Sequence, residues 1–153
     1  MAPITRFEDI KGWQQSFKLQ RAFEEAMVAA SFKNPSLQDQ MWRCTDSAMS
    51  NIAEGFDAGT NPEFVRFLNM SYRSLTEFQS HLHSCRHKRH LSERQCDMLY
   101  DLAAEAKSKV GGFIRYLRAH PRGRPRKGKG KGAFKAKPNT ELRTNSEPRT
   151  PNS

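Results

Sequence analysis

From Phe64 to Cys85 one set of side chains keeps a strict beat. Phe64, Leu68, Ser71, Leu75, Phe78, Leu82 and Cys85 follow one another in steps of four, three, four, three, four and three. Three heptads of that rhythm place all seven on one stripe of an α-helix, the a/d seam along which helices pack side by side. A strand would scatter the same residues over both of its faces. The stretch opens on Thr60-Asn61-Pro62-Glu63, where Thr60 with Glu63 matches a capping box and Pro62 suits a first turn.

A helix with one apolar stripe needs partners, and the rest of the chain supplies them. A first segment from about Phe7 to Phe32 carries Ile10, Trp13, Phe17, Ala26, Met27 and Ala30 at three- and four-residue steps, widened by Leu19 and Phe23. It ends at Asn34-Pro35, because a residue before Pro is steered out of helical geometry. A second begins with Ser36 as the expected N-cap and runs through Leu37, Met41, Cys44, Ala48 and Ile52 towards Gly55 and Gly59. A fourth starts with Ser92 and Gln95 as a capping box and continues through Leu99, Leu102, Ala106, Val110, Phe113 and Leu117 to about His120. Gly111-Gly112 inside it either admits a closely packed neighbour or weakens the last two turns. Four amphipathic helices on short loops predict an all-α, up-down-up-down four-helix bundle over residues 1–120. Aromatics such as Trp42, Phe67 and Tyr72 exceed what one small interior holds, so the bundle is expected to self-associate.

Beyond Pro121 the composition changes. Residues 121–153 hold ten Lys or Arg against two Glu, a net +8, whereas residues 1–120 hold 16 against 14. Only Ala133, Phe134, Ala136 and Leu142 are apolar there, too few to offset the entropy of ordering, so a disordered basic tail is expected. A concentrated cation of this kind takes a polyanion as its partner. The three cysteines, Cys44, Cys85 and Cys96, form no CxxC pair and read as reduced, buried thiols of a cytoplasmic protein. No apolar run approaches the roughly 20 residues that span a bilayer, so no membrane partner is expected.

The body also carries recognisable stretches. FEDIKGWQ at 7–14, SNIAEGF at 50–56 and EFVRFLNMSYRSLTEF at 63–78 resemble the bacterial four-helix-bundle family encoded in intervening sequences of large-subunit ribosomal RNA genes. The likeness covers roughly residues 6–118 and implies a homo-oligomer, a pentamer in particular, with no catalysis. A related bundle serves diversity-generating retroelements as an accessory subunit, which implies a reverse transcriptase and its RNA as alternative partners. Four positions depart from the family's pattern. Met49 stands where a Pro is common, Asp57 and Ala58 where basic residues are common, and Arg73 where a Gly is common. A basic surface on the second loop is therefore not carried over.

The sharpest chemical motif is Pro121-Arg122-Gly123-Arg124-Pro125, flanked by Arg126, Lys127, Lys129, Lys131, Lys135 and Lys137. It resembles the core of an AT-hook. A narrow A·T minor groove has a strong negative potential that draws Arg in, and Gly123 lets the backbone lie on the groove floor. The prolines keep the flanks extended. The plainer reading is a generic basic tail, and both readings bind nucleic acid, DNA or RNA. Elsewhere, His83 and His87 share a helix face in the stretch holding His81, Cys85 and His90. Arg86, Lys88 and Arg89 oppose a cation there, so the stretch reads as a basic helix end or a phosphate contact, and no metal site or cofactor is expected. Asn51 and Glu54 read as structural residues closing the second helix, with Arg43 or Arg66 as possible ion partners for Glu54. No nucleophile–base pair or phosphate loop is visible, so no enzyme is expected.

Overall fold

The computed structural model describes residues 3–121. After a single 3-10 turn at Phe7–Asp9, four helices follow: α1 (Lys11–Ala30), α2 (Pro35–Asp57), α3 (Asn61–His87) and α4 (Glu93–Ala119). Each helix end has a chemical cause. Asn34 Oδ1 accepts the Leu37 N–H at 3.1 Å, which makes Asn34 the cap of α2. Pro35 takes the first helical position, where its missing N–H has no cost, so the expected cap at Ser36 is corrected by two residues. Thr60 Oγ1 accepts the Glu63 N–H at 3.3 Å. Both arms of the Ser92–Gln95 box form, at 2.9 and 3.1 Å. The first segment is shorter than its apolar pattern: the 3-10 turn precedes it, and Ser31 ends it in a left-handed conformation at φ 50°.

The helices form a ring in which each packs on the two beside it, the up-down-up-down four-helix bundle expected from the stripes. The α3 seam is entirely inside, and all seven of its residues are buried. Phe23 of α1 meets Phe78 of α3 edge to face at 5.3 Å, so the diagonal is bridged through side chains. The stripe of α1 turns differently from expectation. Gly12, Ser16, Leu19, Phe23 and Ala26 are buried while Phe17 is 40% exposed. Ser16 tolerates that position because its hydroxyl donates to Gly12 O at 2.8 Å, as Ser71 donates to Ala48 O. In α4, Ala103 and Ile114 occupy the core that Leu102 and Phe113 were expected to fill, and those two are half-buried. Of the aromatics expected outside, Tyr72 is exposed, but Trp42 packs edge-on against Phe23 at 5.7 Å. No helix among the described residues is long and apolar enough to cross a membrane.

Glycine marks the closest helix approach, though not at Gly111-Gly112. A Cβ on Gly55 would fall 2.5 Å from Phe64 Cδ2 and 2.8 Å from Phe67 Cβ, whereas one on Gly111 or Gly112 meets nothing nearer than 3.6 Å. Gly55→Ala is therefore expected to destabilise the fold by about 1–3 kcal/mol through overpacking. Gly111→Ala and Gly112→Ala are expected to stabilise it by about 0.5–1 kcal/mol each through helix propensity. Denaturant midpoints of the three variants check both signs.

Candidate nucleic-acid interface

The end of α4 is a fixed point. His120 closes the helix with its N–H on Leu117 O at 3.2 Å. Its ring lies against Tyr116 at 4.5 Å, and Asn61 Nδ2 donates to its carbonyl at 2.6 Å. The chain thus leaves the bundle beside the start of α3. Arg122, Gly123, Arg124, Pro125, Arg126, Lys127, Lys129, Lys131, Lys135 and Lys137, the expected nucleic-acid-binding residues, lie outside the described residues.

The described part of the chain leads into that segment with the same charge. From Ala106 to Pro121 the sequence has Lys107, Lys109, Arg115 and Arg118 and no carboxylate. Arg118, in the last turn, is favoured there by the negative end of the helix dipole. Lys107 lies over the Tyr72 ring, 4.9 Å from its centroid, and donates to Gln79 Oε1 at 3.0 Å. Gln79 in turn donates to Tyr100 O at 3.3 Å. With Arg115 these residues line a groove of about 410 Å³ between α3 and α4. Exposed rings beside cations are what unstacked bases and phosphates require. Periodicity does not point to this groove, although the run of basic residues past Ala106 is a readable signal.

The His81–His90 stretch does not act as one patch. His83 packs on Tyr100 at 5.8 Å, and His90 on Phe32 at 5.1 Å. Arg86 is held by Glu93 at 3.0 Å and by Asp97. Glu54 forms no ion pair with Arg43, which bonds Asp39 at 3.0 Å instead, and Arg66 lies over Phe67. Asn51 donates to Ser47 O at 2.8 Å, a structural role at the end of α2. The fold instead gathers Cys44, Glu77 and His81, with their ligating atoms within 4.8 Å of one another.

The comparisons with known proteins bear on the bundle. Residues 8–112 match the family described as 23S rRNA-intervening sequence protein. The chain belongs to that family. Among solved structures it is similar to a protein of unknown function from the S23 ribosomal protein family of Bacteroides thetaiotaomicron. The two are 16% identical at a TM-score of 0.61, over 68% of this chain and 98% of that one. At that identity the likeness speaks for the fold. None of the curated proteins matches the chain. The family match ends at Gly112, so Arg115, Arg118 and the basic residues 121–153 lie beyond the part shared with the family. Neither the family nor the solved relative is described as an enzyme.

Proposed function

We propose that the protein is a non-enzymatic, self-associating helical bundle that holds nucleic acid through its basic C-terminal segment. The observation that carries this reading is the separation of charge: +8 on residues 121–153 against +2 on the rest, with the positive run already under way in the last turns of α4. Counterion release makes such a segment bind phosphate backbones strongly and with steep salt dependence. The family's description ties its members to 23S rRNA, which supports RNA beside DNA as the polyanion. Self-association is supported by Tyr72, Met98, Tyr100 and Tyr116, all exposed. Copies joined in an oligomer present several tails, and avidity raises a weak single contact by about 100-fold or more.

In duplex DNA, Arg122 and Arg124 enter an A·T minor groove while Arg126, Lys127, Lys129, Lys131, Lys135 and Lys137 neutralise phosphates. The test is a double replacement, Arg122→Lys with Arg124→Lys, which leaves charge unchanged. Wild type is expected to prefer an A·T-rich duplex over a G·C-rich one at fixed salt, and the variant to lose that preference. The planar guanidinium fits a narrow groove better than a hydrated ammonium does. Equal affinity of the wild type for both duplexes would remove the groove-reading role and leave a generic basic tail.

A further inference from the structure

The bundle surface holds a second constellation, unrelated to the basic segment. Cys44 lies on α2, and Glu77 and His81 stand one turn apart on α3. His81 Nε2 is 3.5 Å from Glu77 Oε1, about the spacing of two ligands on one small ion at metal–ligand distances near 2.1 Å. Cys44 Sγ lies within 4.8 Å of both of those atoms. His81 Nε2 is itself buried and makes no hydrogen bond, its acidic neighbour being that Glu77 oxygen, and a buried polar atom left unsatisfied is costly. The Glu77 side chain is 62% exposed and that of His81 18%, so an ion can enter from solvent, and the flexible carboxylate can close the remaining gap. The nearby cation Arg43 is paired with Asp39, and Arg86 with Glu93 and Asp97. Those two cations are therefore already held by carboxylates of their own.

We propose that Cys44, Glu77 and His81 form a site for a borderline divalent transition ion of the Zn²⁺ class, with the fourth position open to solvent. The donor set decides the class. Thiolate with imidazole favours first-row ions over Mg²⁺ or Ca²⁺, and a carboxylate in the set favours a divalent ion over Cu(I). Burial first, and then the charge and hydrogen bond of Glu77, push the Cys44 thiol up to about 12, so the metal-free site holds S–H. Binding replaces that proton: the S–H bond breaks, the sulfur–metal bond forms, and the proton leaves to solvent.

Chelator-treated full-length protein titrated with Co²⁺ tests the site. A thiolate-to-cobalt charge-transfer band with tetrahedral d–d bands should appear, saturate at one ion per chain and vanish on adding Zn²⁺. Cys44→Ser should abolish the charge-transfer band. Glu77→Gln, at the surface, and His81→Gln, at a half-buried position, should each weaken Co²⁺ by at least about tenfold, since even outer-shell losses reach that size. Circular dichroism establishes that each variant keeps its helicity. Wild type without the band overturns the proposal, because the three groups are then a polar cluster only. A band that survives in Cys44→Ser overturns it as well, by moving the sulfur ligand to Cys85 or Cys96.

Discussion

Leu75→Asp or Phe78→Asp should leave no folded bundle at room temperature. Both side chains are fully buried in the α3 seam, and Phe78 carries the edge-to-face contact with Phe23 across the core. Truncating a buried Phe alone costs about 3–5 kcal/mol. An unpaired carboxylate in that place adds several kcal/mol more, or forces the group to take up a proton. A domain of this size has a total stability of about 5–15 kcal/mol, so the two terms together reach it. Thr76→Asp is the matched control, because Thr76 is exposed between the two and should move stability by no more than about 0.5 kcal/mol. Far-ultraviolet circular dichroism and thermal melts read the difference. Full helicity with an unchanged midpoint in either core variant would mean that the seam does not face the interior.

Deleting residues 121–153 should remove nearly all tight nucleic-acid binding. The deletion takes away +8 of the +10 net charge. Each phosphate neutralised contributes about 0.9 to the log–log salt slope on duplex DNA, and six to ten such contacts separate affinities at 50 and 200 mM salt by about 10³–10⁵. With eight basic side chains between Arg122 and Lys137, the full chain belongs near that range. The truncated body should bind on the order of 10³-fold more weakly at low salt, with a shallow slope. Its helicity should be unchanged, since α4 ends at Ala119 and the contacts of His120 precede the cut. Titrations at several salt concentrations check slope and affinity together. A truncated body that binds as tightly as the full chain would transfer the function to the groove lined by Tyr72, Lys107 and Arg115.

Where apolar side chains alone define a stripe, the amino-acid pattern suffices to place the core. The α3 seam is the clearest case, because its beat runs unbroken for three heptads although Val65, Phe67 and Met70 lie beside it. In α1 the buried register Gly12, Ser16, Leu19, Phe23, Ala26 keeps the same four–three beat. It begins on a glycine and a serine, while the larger Trp13 and Phe17 sit beside it, so hydrophobicity by itself points to a shifted stripe. Ser16 is buried because a neighbouring carbonyl satisfies its hydroxyl, which composition does not announce. In α4 the choice between Leu102 and Ala103, and between Phe113 and Ile114, is made by the shape of the neighbouring helices. The basic segment is legible as charge. The Cys44–Glu77–His81 cluster is not, because one ligand lies 33 positions from the next and the register between α2 and α3 brings them together.

The ring of helices also fixes an order of assembly. Three of its four joints link consecutive helices across short turns, and short loops close fast and with little loss of entropy. The fourth joins α1 to α4. There the bare face of Gly12 sits so close to Val110 that a Cβ would lie 2.8 Å from its Cγ2, and Gln95 reaches Ala26 O. A ribosome adding about 5–20 residues per second needs on the order of 5–20 s to travel from Gly12 to Val110. During that time Trp42 and Phe78, the ring partners of Phe23, are made, but the side of α1 that faces α4 stays open. The first helix made is the last to be enclosed, and the joint it completes lies beside the root of the basic segment.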